Sequence, residues 1–144
     1  MRTLWEYCLL SLLLDEKVMT PPGQVLLPDD LRERMWGYGV RNFLLLPRNV
    51  GWLLGPNTTR LSLYGYSHTK RAFLEHIIST PGLATGLTSL NLHCNFRVED
   101  DGFACIARCT NLESLVLYGC VGLTDSNLID ICGGCSKITF LDIG

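Results

Sequence analysis

The chain has 144 residues, 47% apolar and 18% charged, with a formal net charge of −2. That is the length of one ordinary domain with enough apolar side chains for a packed core, which argues against a disordered chain. The near-neutral charge, with aromatic residues scattered and no basic residues interleaved among them, argues against nucleic-acid or anionic-membrane binding.

The first predicted element is a helix from about Thr3 to Lys17. Leu4, Cys8 and Leu12 fall on one of its faces, because residues four apart are helix neighbours. Leu9 and Leu13 widen that stripe and Leu10 and Leu14 spread it further, so the cylinder is more apolar than one packed edge needs. The same run does not read as a secretory signal. Glu6 interrupts it, and it exits into DEKVMTPPG without a small-residue cleavage site. Asp15, Glu16 and Lys17 also close it too early to span a bilayer. The sequon Asn57-Thr58-Thr59 would matter only in a secreted chain. The expected location is therefore the cytoplasm or nucleus.

Pro21-Pro22-Gly23 predicts a turn. A second helix is expected after Pro28, whose ring suits a first helical turn, with Asp29 and Asp30 at its positive end. Leu31 and Met35 share its face. These first 55 residues follow no repeat, and they form the first expected region, a helical hairpin over 1–55.

From residue 56 onward the sequence repeats. LTSLNLHCNFRVEDDGFACIARCTN (87–111) and LESLVLYGCVGLTDSNLIDICGGCSK (112–137) share one frame. Leu87, Leu90 and Leu92 match Leu112, Leu115 and Leu117. Val98, Asp100, Phe103, Ile106 and Cys109 match Leu123, Asp125, Leu128, Ile131 and Cys135. Ile138, Leu141 and Ile143 begin a third copy, and Leu61 and Leu63 mark an earlier one. The spacings from Leu61 to Leu90, Leu115 and Leu141 are 29, 25 and 26 residues. Each L-x-L predicts a strand with alternate leucines turned inward. Asp100 or Asp125 is placed to cap the helix that follows, which carries apolar residues three apart. Such units cannot hide their apolar faces singly, so an α/β solenoid is expected over 56–144, with parallel strands on its concave face.

This pattern resembles the leucine-rich repeat in its cysteine-containing subclass. The resemblance gives most of the seven cysteines a packing role. Cys105/Cys109 and Cys132/Cys135 have zinc-like spacings. In a repeat, however, Cys109 and Cys135 close helices as small buried groups, Cys132 fills the slot held by Ala107, and Cys105 defaults to a surface thiol. Asn95 and Cys120, three residues past the second strand leucine, are expected to turn inward and hydrogen-bond carbonyls of the neighbouring turn. No metal site or cofactor is expected.

Tyr64, His93 and Tyr118 follow the second strand leucines and should form one column on the concave face, a candidate client-binding surface. Ser62, Asn91, Val116 and Asp142 form the column before it. No catalytic constellation appears, because His68, His76 and His93 occupy different repeat positions and no HExxH, GxSxG or P-loop sequence is present. The acidic run Glu99-Asp100-Asp101 reads as a helix N-terminus rather than a calcium site.

The N-terminal region carries a second resemblance. TLWEYCLLSL (3–12) is similar to the elongin-C-binding box, which has Ser or Thr, then Leu, a Cys four residues later and an aliphatic residue four beyond that. LPDDLRERM (27–35) resembles the cullin-2 box. The cullin-5 version expects Leu-Pro two residues earlier, where Gln24-Val25-Leu26 lacks it. Paired boxes ahead of leucine-rich repeats look like the elongin–cullin-2 substrate receptors, including Zyg-eleven, Zer-one and PRAME-like proteins. The resemblance implies that Leu4, Cys8 and Leu12 meet elongin C, with elongin B attached, and that Leu27, Pro28, Leu31 and Met35 meet cullin-2. It implies a non-catalytic receptor holding a client for ubiquitin transfer by a RING subunit. Two alternatives stay open. LLPDDLRERM also resembles the opening of an F-box, which binds Skp1 and cullin-1, and the chain could be an interaction scaffold with no ligase. The chain stops at Gly144 within an unfinished repeat, so either more sequence or a truncated product is expected.

Overall fold

A computed structural model describes residues 3–14, 27–55, 57–66, 69 and 71–144. The turn expected at Pro21-Pro22-Gly23 and the last residues of the first expected helix lie outside these. Helix α1 spans Leu4–Leu14. It opens on a reciprocal cap, in which the Thr3 N–H donates to Glu6 Oε2 (2.7 Å) and the Glu6 N–H donates to Thr3 Oγ1 (3.3 Å). Helix α2 spans Asp29–Arg41 with Pro28 just before it, Asp29 and Asp30 in its first turn and Arg41 in its last, each charge suiting its end of the dipole. Helix α3, Pro47–Leu53, starts on proline, whose missing N–H is not needed there.

Among the described residues, four short parallel strands follow, with helices between them. Strand β1 is Arg60–Ser62, β2 Ser89–Asn91, β3 Ser114–Val116 and β4 Phe140–Asp142, in sheet order β1-β2-β3-β4. Leu61 pairs with Leu90, Leu90 with Leu115 and Leu115 with Leu141, the frame read from the sequence. The leucines of the first three strands are buried, as are Leu63, Leu92 and Leu117 just beyond them. At β4, Leu141 and Ile143 are exposed.

The connecting helices differ. Helices α4 (Arg71–Ile78) and α5 (Leu83–Gly86) fill the first connection. The second holds α6 (Asp100–Phe103) running into a 3₁₀ segment, Ala104–Arg108, where the sequence predicts one uniform helix. The third holds α7 (Asp125–Gly134). A 3₁₀ segment rises about 2.0 Å per residue against about 1.5 Å in an α-helix. The tighter winding thus lets the shorter connection cover nearly the same distance. Close packing of successive units shows at Gly134, where any Cβ would collide with the Ala107 carbonyl oxygen.

Helix α7 is capped by Thr124 and not by Asp125. Thr124 has the extended backbone of a cap (φ −116°, ψ 163°) and shares a capping box with Asn127, while Asp125 sits inside the first turn. In α6 the cap position is Glu99, with no side-chain hydrogen bond.

One continuous core runs from Leu9 in α1 to Cys135 after α7. Polar side chains add long-range ties to it. Trp36 Nε1 donates to the Ser62 carbonyl at 2.9 Å, joining α2 to β1. The Tyr66 hydroxyl donates to the Leu45 carbonyl at 2.6 Å. The buried Asn49 Nδ2 donates to the carbonyls of Leu13 and Leu44 at 3.3 and 3.2 Å, fastening the end of α1.

Candidate functional site

The outward column after the strands is a continuous stack of rings. Tyr64 and His93 have centroids 4.7 Å apart, and His93 and Tyr118 are 4.9 Å apart, all tilted. Those separations follow from the spacing of about 4.8 Å between neighbouring strands. Tyr64 and Tyr118 are about half exposed (57% and 47%), and His93 between them is half-buried. The column before it positions the rings. Ser62 Oγ accepts from the Tyr64 N–H (3.4 Å), Asn91 Oδ1 from the His93 N–H (2.9 Å) and Asp142 Oδ1 from the Gly144 N–H (3.2 Å). The chain then turns sharply at Gly65, Cys94 and Gly119, each with positive φ (65°, 59° and 72°). That turn lets the backbone leave the sheet immediately after each ring.

Under the rings runs an inward ladder. Asn95 Nδ2 donates to the carbonyls of Leu63 and Leu92, both at 2.8 Å, and Cys120 Sγ donates to Leu92 at 3.1 Å. Tyr66 holds the same position one unit earlier, three residues past Leu63; its signal was the repeat frame itself. Burial pushes the Tyr66 hydroxyl up to about 12.

The thiols divide by burial. Cys109 and Cys135 are buried, and Cys135 Sγ donates to the Ile106 carbonyl at 3.2 Å. Burial pushes Cys109 up to about 12, with the thiols of Cys135 and Cys105 adding to it and Arg108 opposing it. Cys105 is no surface thiol. It is half-buried, donates to the Gly102 carbonyl at 3.1 Å, and burial pushes it up to about 11 against the opposing charge of Arg108. Cys132 is exposed and fills no buried slot. No cluster of three or more candidate metal ligands occurs among the described residues.

The second surface is α1. Leu9 and Leu13, four residues apart, are buried and fasten the helix to the core. The adjoining stripe faces outward: Leu4 is 81% exposed and Cys8 exposed, with Leu12 half-buried against the core edge. Tyr7 and Leu14 add exposed apolar surface. At the start of α2, Pro28 is exposed, and Leu27 and Leu31 are half-buried against the core. Met35 is wholly buried, because it lies one turn further along α2 where the helix beds onto the core. Its side chain therefore offers no surface for the cullin contact that the sequence pattern assigned to it.

No protein-family model matches the chain, and no curated protein matches it. Among the described residues, no helix is long and apolar enough to cross a membrane.

Proposed function

We propose that this chain is a non-catalytic substrate receptor of an elongin B/C–cullin-2 RING ubiquitin ligase, acting in the cytoplasm or nucleus. In this reading the sheet and its helices form a leucine-rich-repeat solenoid of the cysteine-containing kind. The register of Leu61, Leu90, Leu115 and Leu141 and the inward ladder of Asn95 and Cys120 support that architecture. The ring column of Tyr64, His93 and Tyr118 holds the client, and α1 holds the ligase.

The observation that carries the reading is the division of labour within α1. A helix that served only as a cap for the repeats would bury its most apolar stripe. Here Leu9 and Leu13 do the fastening while Leu4 and Cys8 remain open to solvent. The Thr3–Glu6 cap fixes where the helix starts and so places Leu4 in its first turn. Leu4 enters a pocket on elongin C, with Cys8 and Leu12 beside it. Leu27, Pro28 and Leu31 meet cullin-2, without Met35.

The test is capture of purified elongin B/C by the chain and by Leu4→Ser/Cys8→Ser. Both side chains are exposed, so the variant should fold as the parent does. We expect capture by the parent and none by the variant. Equal capture by both overturns the docking assignment, and capture of Skp1 in place of elongin C moves the protein to the F-box class.

A further inference from the structure

Beside the ring column the sheet face and α2 enclose an open trough of about 990 Å³. Ser62 and Ser89 from the strands and Gly37 from α2 are among the residues that line it. The Trp36 hydrogen bond to the Ser62 carbonyl holds the wall in place. Among the described lining residues, Arg41 and Arg60, with Arg34 beside them, stand against the acid Glu33, in a chain whose net charge is −2. Among the described residues, no ion pair engages the guanidinium of Arg41 or Arg60. The local charge is thus opposite in sign to that of the molecule, and it adjoins the exposed Tyr64 ring.

We infer that the trough takes an acidic peptide segment in extended form, its carboxylates on Arg41 and Arg60 and an apolar side chain against Tyr64. The inference rests on the reading of this face as a client-binding surface and names the class of client. Guanidinium forks match carboxylates in shape as well as charge. The attraction is confined to the β1 end, because Asp142 stands at the far end of the same face, in β4. A short acidic run fits that layout, whereas a long nucleic-acid strand laid along the face would meet Asp142.

The experiment is fluorescence anisotropy of the intact chain with a short, fluorescein-labelled Glu- and Tyr-containing peptide, its Gln-for-Glu counterpart, and oligothymidylate. Elongin B/C capture is measured on the same preparation. We expect the Glu peptide to bind best and to weaken as salt rises from about 0.05 to about 0.5 M. Arg41→Glu/Arg60→Glu should weaken it roughly tenfold, as loss of two exposed charge contacts implies. The Glu peptide binding no better than the Gln peptide, an unchanged affinity in the double variant, or tighter binding of oligothymidylate each overturns the inference. Elongin capture without peptide binding defeats this inference alone. Peptide binding without elongin capture upholds it and defeats the ligase reading.

Discussion

Asn49 shows how much one side chain can carry. It is wholly buried, and its amide donates to the last turn of α1 and to the loop ahead of α3, while its Oδ1 has no partner among the described residues. Asn49→Ala would strip the buried Leu13 carbonyl and the partly buried Leu44 carbonyl of this donor, costing about 1–3 kcal/mol. Urea denaturation should read that loss, and hydrogen exchange should show the amides at the end of α1 exchanging faster than those of the sheet. The thiols give a pH dependence with a definite sign. Burial raises Cys105 and Cys109 from 9.0 to about 11 and about 12, and Cys120 and Cys135 also rise. Above pH 9 the unfolded chain loses thiol protons that the folded chain keeps, so stability is fully present below that pH and falls as pH rises toward 11–12. Tyr66 acts in the same direction from 10.0 upward. Denaturant midpoints should stay level from neutral pH to about 8 and then decline; a midpoint that holds through pH 11 would contradict the burial of these groups.

At the scale of elements, the strands were readable because their leucines recur at a fixed interval, and the register followed directly. The caps were not. An acid near a helix start suggested Asp125, but the cap is set by backbone conformation, and the residue with that conformation is Thr124. Thr124→Ala should cost about 1 kcal/mol, visible as a lower thermal midpoint. The Thr3–Glu6 box was present in the sequence as Thr-x-x-Glu ahead of an apolar run, yet Glu6 drew attention only as a break in that run. The turn after the rings is another element-level constraint. Gly119 has φ 72° and room for a methyl group, since the nearest atom to a Cβ added there is Cys94 Sγ at 3.5 Å. Gly119→Ala should therefore cost about 1–2 kcal/mol from backbone strain alone. A loss well beyond that would mean that the space is tighter than the geometry shows.

For the whole molecule, the sequence divided the chain at residue 55, whereas the core crosses that boundary without a gap. Trp36 and Tyr66 make the crossing, and such long-range contacts leave no local periodicity to read. Met35 illustrates the same blindness, since its spacing suited a docking box while its place on α2 turned it into the core. The arginine-lined trough was likewise invisible, because α2 and the strands that form it are far apart in the chain. The ring column, by contrast, needed only the repeat interval and the spacing of strands. Changing Tyr64, His93 and Tyr118 together to Ala should weaken client binding while leaving elongin capture and the fold intact, as parallel capture and circular dichroism would show.

The ligase function requires that the open stripe of α1 be where another protein sits. Cys8 reports on this directly, because its thiol is exposed within that stripe, and the exposed Cys132 on α7 serves as an internal control. The measurement is the rate of maleimide modification at each cysteine, read by mass spectrometry, with and without saturating elongin B/C. We expect Cys8 to become strongly protected and Cys132 to react at an unchanged rate. If Cys8 reacts as fast with elongin B/C present as without it, α1 is not the docking helix.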